Sequence, residues 1–299
     1  MDYKKIFRNR DLRIRILSLL DFIPDKWMIK LQYRIKFGRK LNLKNPQRFT
    51  EKLQWYKLYY RNPIMKQCAD KYNIRNYIIE KGLGHILNEL YGVYDKTEDI
   101  EFDKLPNQFV LKTTNGGGGL NIILCRDKAL LDIEQTKYNL NKWLIQKQSK
   151  SGREWAYYDL KPRIIIERLM INKENPEAGI NDYKFFCFNG EVKYVVVDID
   201  RYIEHKRNFY DVGWNLLNIE SDCPNFDSKY PKPKGFDKML QVANELSSDF
   251  PFVRVDLYLE SENPILGELT FYPWSGYDGF KPDEFDFELG KSFILKTYK

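Results

Sequence analysis

The sequence predicts an α+β protein with mainly antiparallel strands, and two observations lead to that prediction. Residues 1–60 carry apolar side chains at the three- and four-residue spacing of amphipathic helices. After about residue 108, short apolar and β-branched runs dominate and alternate with helical patterns near 130–144 and 237–247. Helices and strands that are largely segregated along a chain are typical of the α+β class.

The predicted strands are short runs rich in β-branched and aromatic residues. Polar turn residues separate most of them, which favours hairpins over parallel crossovers. The runs cover residues 109–112, 121–125, 163–168, 183–188, 192–199, 252–259 and 265–271.

The composition indicates a globular protein rather than a membrane or disulfide-rich one. The 299 residues are 43% hydrophobic and 15% aromatic, enough for a sizeable core, and the mean hydropathy is −0.58. The longest apolar stretches fall far short of the roughly 20 residues that cross a bilayer. The N-terminus lacks the apolar run of a secretory signal, and the four cysteines are dispersed. We therefore expect a cytoplasmic protein with reduced cysteines and no membrane-spanning helix.

The net charge of +7 is concentrated at one end of the chain. A membrane surface, a polyanionic glycan or a nucleic acid would attract such a region, and a solvated helix face is the alternative. Nucleic acid is disfavoured, because the basic residues are confined to one end and the aromatic residues follow core periodicity. The first 45 residues contain Lys4, Lys5, Arg8, Arg10, Arg13, Arg15, Lys26, Lys30, Arg34, Lys36, Arg39, Lys40 and Lys44.

Two parts of the chain are predicted from this organisation. Residues 1–60 would form an N-terminal basic helical region with two or three helices, and residues 61–299 would form the main domain. The main domain would begin with a helix over residues 64–81, because Pro63 favours a helix start and Gly82 favours its end.

A glycine run follows the first predicted strand. That strand ends in Lys112, and the chain then runs into Gly116, Gly117, Gly118 and Gly119. Glycines let backbone N–H groups approach phosphate oxygens closely, and a lysine adds positive charge for the same oxygens. The run lacks the ending of a Walker A motif, so it is not a P-loop. A flexible hairpin loop is the alternative.

The last two predicted strands place two carboxylates opposite each other. If their hairpin is symmetric about Glu262, Asp256 lies across from Glu268, and Arg254 lies across from Thr270. Opposed carboxylates need a compensating cation, and Mg²⁺ prefers carboxylate oxygens. The alternative is that Arg254 neutralises the pair as a surface salt bridge.

Two further strands carry charged residues. Asn189-Gly190 is a strong hairpin signal, so Asp182, Lys184 and Phe186 should share one face of the preceding strand. A lysine and an aspartate would then point the same way.

The strand over residues 163–168 ends with the acid Glu167 followed by a basic residue. Such a strand can present backbone groups and one carboxylate to a purine and its ribose. A salt-bridged strand end is the alternative.

These segments together resemble the ATP-grasp superfamily, and more closely its TupA-like branch, which occurs in surface-polysaccharide gene clusters. The resemblance covers about residues 45–290 and depends on the order and spacing of the segments. It implies two α+β lobes that sandwich ATP, with a lid subdomain at about 108–170, after the N-terminal helical region. The segments are RFTEKLQWYKLYYRNPIMKQCADKY, FVLKTTNGGGG, KPRIIIERL, DYKFFCFNGEVKYV, RNFYDVGWN and RVDLYLESENPILGELTFYPWSG.

The resemblance also implies roles for individual residues, with ATP and Mg²⁺ as cofactors. Thr270 stands where many relatives have asparagine, so it would be a weaker metal ligand. ATP would be bound by Lys71, Lys112, Gly116, Gly117, Gly118, Gly119, Glu167, Leu169, Asp182 and Lys184. Metal would be bound by Asp256, Glu268 and Thr270, and catalysis would involve Arg254, Lys112 and Lys184. The acceptor side would include Arg207, Tyr210, Asp211 and Trp214.

The implied reaction is ATP-dependent amide formation between a carboxylate and an amine through an acyl phosphate. The expected substrates are a sugar carboxylate, such as a uronic acid, and an amino acid or other amine, in capsular polysaccharide synthesis. An ATP-grasp phosphotransferase that acts on a glycan hydroxyl is one alternative. A non-catalytic protein that holds anionic glycan or the membrane surface through its basic N-terminal region is the other.

Overall fold

The computed structural model describes residues 19–116, 121–146, 150–172, 175–226 and 228–296. Within these ranges lie seven α-helices and ten strands. The helices are α1 Asp25–Phe37, α2 Phe49–Tyr59, α3 Ile64–Ala69, α4 Ile74–Glu80, α5 Ile133–Ile145, α6 Phe236–Ser247 and α7 Glu284–Ser292. The strands are β1 Leu90–Tyr94, β2 Phe109–Thr113, β3 Ile122–Cys125, β4 Ile164–Arg168, β5 Asp182–Phe188, β6 Glu191–Ile199, β7 Lys206–Asp211, β8 Leu216–Leu217, β9 Phe252–Glu260 and β10 Asn263–Thr270.

A six-stranded antiparallel sheet in the order β10-β9-β5-β6-β7-β8 forms the larger half of the molecule. Tight turns connect β5 to β6 and β9 to β10. Asn189 and Gly190 have φ of 52° and 85°, and Ser261 and Glu262 have φ of 48° and 69°. Positive φ at both central residues is the geometry that matches the twist of paired strands, so the predicted Asn-Gly hairpin is confirmed.

The two faces of β5 contact different helices. The ring of Phe185 lies 6.2 Å from that of Phe236 on α6, whereas the ring of Phe186 lies 6.1 Å from that of Phe49 on α2. Successive side chains of a strand point to opposite faces, so α6 and α2 cover opposite sides of the sheet. Buried aromatic and branched residues fill both layers.

A four-stranded antiparallel sheet in the order β1-β4-β2-β3 forms the smaller half. It has its own hydrophobic cluster, in which Phe109, Leu111, Ile164 and Ile166 pack against Leu140 of α5. This sheet begins with β1 at residue 90, and the lid subdomain at about 108–170 stays a prediction.

The N-terminal helices pack on the larger half. Phe49, Leu53 and Tyr56 of α2 are buried in the same cluster as Phe252 of β9, so α2 belongs to the main core. The first predicted helix, before residue 19, lies outside the described residues. In the part of the chain that the structure describes, no helix is long and apolar enough to cross a membrane.

The helix predicted over residues 64–81 is wrong as a single element, because the chain leaves the helix between α3 and α4. The Asp70 carboxylate accepts hydrogen bonds from the backbone N–H groups of Tyr72 and Asn73 at 2.9 and 2.8 Å. Such local side-chain bonds offer the backbone an alternative to helix. The break turns the Lys71 N–H to the carbonyl of Thr114, beside the glycine run.

Candidate active site

Charged side chains from five strands lie on one face of the larger sheet, the face that also carries Phe186. Cross-strand pairs place them there: Lys184 opposes Asp256, and Asp256 in turn opposes Glu268. Two residues before Lys184, and on the same face, Asp182 opposes Asp198. Asp198 in turn opposes Arg207. The buried members are Asp182, Lys184, Asp198, Arg207, Arg254 and Asp256.

The predicted opposition of Asp256 and Glu268 is confirmed, but the hairpin is not symmetric about Glu262, as the prediction assumed. The turn is one residue shorter than assumed, since Glu260 pairs with Asn263. A β-bulge between Leu266 and Glu268 then adds one residue and restores the predicted partners. At the bulge, a Cβ on Gly267 would lie 3.0 Å from the carbonyl oxygen of Asp256, a tight contact that favours glycine there.

Arg254 neutralises the opposed carboxylates in this structure. Its Nε and Nη2 atoms donate to the two oxygens of Asp256 at 2.7 and 2.6 Å, and Nη2 lies 3.8 Å from Glu268. Thr270 accepts a hydrogen bond from Arg254 at 3.1 Å and donates one to Glu268 at 3.3 Å. The Arg254–Asp256 pair is buried, so it is not the surface salt bridge considered as the alternative.

Lys184 lies among three carboxylates. Its Nζ pairs with Asp182, lies 3.2 Å from Asp198 and lies 4.0 Å from Asp256. The second oxygen of Asp182 is buried and has no hydrogen-bond partner among the described residues. A buried acceptor without a partner is costly, so this oxygen marks a position where a bound group would be stabilised.

The buried aspartates of this face differ in acidity. Burial raises the pKa of Asp256 to about 6, although Arg254 and Lys184 oppose the shift. Burial also acts on Asp198, but His205, whose Nε2 lies 3.4 Å from it, and the charge of Lys184 hold its pKa well below the usual value. The charge of Asp256 is therefore the less well compensated of the two.

Glu268 connects this face to the glycine run. Burial alone would raise the pKa of its carboxyl, but the positive charges of Lys71 and Arg254 outweigh that effect and lower it. Lys71 donates a hydrogen bond from Nζ to the carbonyl of Gly116. The pKa of Lys71 is itself lowered by burial, which Glu268 partly offsets.

The edge of the smaller sheet provides the opposite side of the site. The Nζ of Lys112 lies 2.6 Å from one oxygen of Glu167, and Arg75 lies 3.3 Å from the other. The Lys112 side chain is 20% exposed. Of the predicted lid loop, only Gly116 is described; residues 117–119 lie outside the described residues.

A cavity of about 150 Å³ lies between the two sheets. Apolar side chains and a few charged groups line it, which suits a flat ring with an anionic end. The predicted nucleotide residues Lys112, Glu167 and Leu169 line this cavity. Its other walls include Val110, Ile122, Met170, Ile180, Arg201 and Tyr258.

Two of the predicted acceptor residues are packed in the core. The rings of Tyr210 and Trp214 stack at 4.6 Å, and both are fully buried. The Tyr210 hydroxyl accepts a hydrogen bond from the backbone N–H of Tyr230, and the Trp214 indole N–H donates one to the Tyr230 carbonyl. Asp211 caps the turn to Asn215. These contacts stabilise the fold, and contact with an acceptor stays a prediction.

Arg207, the other predicted acceptor residue, belongs to the charged face. Its guanidinium pairs with Asp198 at 2.6 Å and also with Asp222. The ring of Trp274, which the sequence did not single out, lies 5.1 Å from the Arg207 guanidinium and 5.8 Å from that of Arg254. Trp274 has φ of 50°, a left-handed conformation that sequence patterns do not predict for tryptophan.

The residues present fit a magnesium ion that is completed by other ligands. Asp256 and Glu268 offer carboxylate oxygens, and the Glu268 side chain is 40% exposed. Among the described residues no group of three or more His, Cys, Asp or Glu could hold a metal alone. Magnesium is commonly held by one or two carboxylates with phosphate and water as further ligands. The binding roles of these residues stay predictions.

Solved structures with a similar arrangement include D-alanine–D-alanine ligase from Bacillus anthracis, with 16% identity, a TM-score of 0.41, and coverage of 68% of this chain and 57% of that chain. The Helicobacter pylori enzyme has 16% identity, a TM-score of 0.41 and coverage of 78% and 60%. The ATP-grasp ligase PsnB, in complex with a minimal precursor, Mg and ADP, has 12% identity, a TM-score of 0.38 and coverage of 74% and 57%. This chain spans less than two thirds of the length of each.

A family model gives the stronger finding. No curated protein matches the sequence. The model for TupA-like ATP-grasp proteins, however, matches residues 51–294, which include α2, both sheets and the charged face between them. Because that match covers most of the sequence, the chain belongs to the TupA-like ATP-grasp family.

Proposed function

We propose that the chain is an ATP-dependent carboxylate–amine ligase, which forms an amide through an acyl phosphate. One observation carries the proposal: Asp256 and Glu268 oppose each other beside Arg254, across from a lysine-edged apolar cavity. Two carboxylates, several cations and an apolar cavity are the groups that a magnesium nucleotide requires.

The cavity between the sheets would take the adenine and ribose, next to Glu167 and Leu169. Lys112 lines the same cavity and would turn from Glu167 to the phosphates. Lys71 already contacts the Gly116 carbonyl, so it would place the start of the glycine run over those phosphates.

Asp256 and Glu268 would hold magnesium, with Thr270 as a weaker ligand. The ion, when bound, neutralises negative charge on the phosphates. The raised pKa of Asp256 is consistent with this role, because a nearby cation would stabilise its charged form.

The reaction would proceed in two steps. A substrate carboxylate oxygen attacks the γ-phosphorus of ATP, ADP leaves, and an acyl phosphate forms. The amine then attacks the acyl carbon, the amide bond forms, phosphate leaves, and the amine loses a proton. Arg254 and Lys184 would stabilise the negative charge that develops in both steps, in a buried setting where such stabilisation is strong.

The substrates would be a sugar carboxylate, such as a uronic acid, and an amino acid, in capsular polysaccharide synthesis. Membership of the TupA-like family supports this choice. Arg207 and Arg254, which lie 5.1 and 5.8 Å from the centre of the Trp274 ring, support a carboxylate-bearing substrate, because guanidinium groups pair well with carboxylates. ATP supply favours a cytoplasmic site, at the inner face of the membrane if the N-terminal region contacts lipid.

Nucleotide binding is tested first by thermal unfolding with magnesium and ADP. At about 100 times the dissociation constant, we expect a rise in Tm of about 5 °C. The variant Asp256→Asn should keep its fold and lose the rise. Asp237→Asn is the matched control, because Asp237 is an exposed α6 residue whose ion pair within the described part of the chain is with Lys232. A rise that is unchanged in Asp256→Asn would reject this metal and nucleotide site.

The reaction is tested by trapping the acyl phosphate. With ATP, a uronic acid and hydroxylamine, a ligase should release phosphate and form a hydroxamate. ATP consumption with a phosphorylated glycan and no hydroxamate would favour the phosphotransferase instead. Nucleotide binding without any turnover over a panel of uronic acids and amino acids would contradict the proposed substrates.

A further inference from the structure

Helix α1 is firmly attached to the molecule through its inner face. Ile29 and Tyr33 are fully buried there, in a small hydrophobic cluster. Gln32 donates to the carbonyl of Ser151 at 2.8 Å and accepts from the hydroxyl of Tyr277 at 2.7 Å. The helix is therefore a fixed part of the surface, and the direction of its outer face is determined.

The outer face of α1 carries a stripe of apolar side chains. Trp27, Leu31 and Ile35 follow one another at intervals of four residues, and they are 67%, 49% and 44% exposed. Residues four apart lie on one side of a helix, so the three form a continuous stripe. Phe22, 80% exposed, precedes the helix. A surface helix normally turns polar residues outward, so this stripe indicates a surface that is covered in use.

Basic residues accompany the stripe. Lys26, Lys30 and Arg34 repeat the same four-residue interval, one position before each apolar residue. Lys30 lies 5.3 Å from the centre of the Trp27 ring. The only acid of the helix is Asp25, which is directed to Arg153 at 3.1 Å. The outer face of the helix therefore carries apolar and positive groups and no negative ones.

We propose that the outer face of α1, defined by Trp27, Leu31, Ile35, Lys30 and Arg34, binds a membrane surface that contains anionic lipids. Tryptophan and branched aliphatic side chains enter the headgroup region, while lysine and arginine stay with the lipid phosphates. The charge of the chain supports lipid over an uncharged protein partner, because the excess of basic residues is concentrated in the first 45 residues. The surface uses none of the nucleotide-site residues, so it stands or falls independently of the ligase proposal.

Sedimentation of the full-length chain with phospholipid vesicles tests this surface. We expect binding to vesicles of phosphatidylglycerol and phosphatidylcholine, weak binding to phosphatidylcholine alone, and loss of binding at about 0.5 M salt. The variant Trp27→Gln/Leu31→Gln should weaken partitioning about tenfold or more. The variant Lys30→Gln/Arg34→Gln should weaken it about thirtyfold, at about fivefold per charge.

A matched control is available on the smaller half of the molecule. Leu130 and Ile145 are also highly exposed, at 84% and 82%, and do not belong to α1. The variant Leu130→Gln/Ile145→Gln should bind vesicles like the parent chain. If it loses binding as strongly as Trp27→Gln/Leu31→Gln, general apolar exposure explains the binding and the proposal is overturned.

Three other outcomes would also overturn it. A parent chain that is dimeric by light scattering, becomes monomeric in Trp27→Gln/Leu31→Gln and ignores vesicles would assign the stripe to a second copy. Binding to the soluble polyanion heparin that depends on Lys30 and Arg34 but not on Trp27, without vesicle binding, would assign the surface to an acidic glycan. Unchanged vesicle binding in both α1 variants would exclude this helix face.

Discussion

The charged face of the larger sheet and the charged edge of the smaller sheet hold their side chains in different ways. Arg254 and Lys184 are buried, and each contacts more than one carboxylate. Lys112, at the smaller edge, is partly exposed and has Glu167 as its recorded ionic partner. We infer from this difference that Arg254 and Lys184 contribute both to the free energy of unfolding and to the site. Lys112 contributes to the site and has little effect on the free energy of unfolding.

The largest expected effect is on stability, at Arg254. The variant Arg254→Ala leaves Asp256 buried without its bidentate partner, next to Glu268. We expect a loss of about 3–5 kcal/mol in the free energy of unfolding, measured by urea denaturation. Adding Asp256→Asn to that variant should recover part of the loss, because the uncompensated charge is removed. A loss below about 1 kcal/mol would show that the pair is not part of the folded core.

The second expected effect is a pH dependence of opposite sign at two aspartates of the same face. Burial raises the folded-state pKa of Asp256 to about 6, above its unfolded value of about 3.9. Its charge is therefore tolerated less well in the folded state, and stability falls as the pH rises from about 4 through about 6. Relative to Asp256→Asn, the parent chain should lose up to about 3 kcal/mol over that window.

Asp198 should show the reverse. Its folded-state pKa is depressed, so its contribution is fully present above the unfolded value of about 3.9 and is lost as the pH falls further. The cost of Asp198→Asn should therefore be greatest above about pH 5 and shrink in more acid solution. Urea denaturation of the parent and both variants from pH 3 to 7 measures the two slopes. Slopes of the same sign would contradict the contrast between the two carboxyls.

Local sequence signals predicted four of the five strands that form this face, namely β5, β6, β9 and β10. The Asn189-Gly190 hairpin placed Lys184 and Asp182 on one side of β5, and the opposition of Asp256 to Glu268 followed from counting along a hairpin. The bulge at residue 267 could not be predicted, because its cause is the close approach of a neighbouring strand. The predicted pairing is correct because two errors cancel: the turn is one residue shorter than assumed, and the bulge adds one residue.

Nonlocal contacts account for most of what the sequence did not predict. Strand β1 has a glycine at its centre, and β7 is largely polar, so neither has the periodicity of a typical strand. The break at residues 70–73 depends on the Asp70 side chain. The contacts of Lys184 with Asp198 and of Trp274 with two arginines join distant segments. Such contacts depend on how the strands are ordered, which periodicity does not determine.

The smallest expected effect on stability is at Lys112. Its side chain is partly exposed and pairs with Glu167, which Arg75 also contacts, so Lys112→Ala leaves that carboxylate with a second cation. We expect a loss of at most about 1 kcal/mol in the free energy of unfolding.

The same variant should nevertheless abolish most of the response to nucleotide. Lys112→Ala should lose most of the rise in Tm with magnesium and ADP and should cut ATP turnover about a hundredfold. Lys184→Ala is the informative comparison, because it removes a buried cation that three carboxylates share, each of which also pairs with an arginine. It should therefore unfold at lower urea than Lys112→Ala. If Lys112→Ala and Lys184→Ala lower the free energy of unfolding equally, the two sheets do not differ in how their lysines contribute to stability. Full ATP turnover in Lys112→Ala would place the phosphates elsewhere, since no other lysine of the smaller sheet lines the cavity within the described residues.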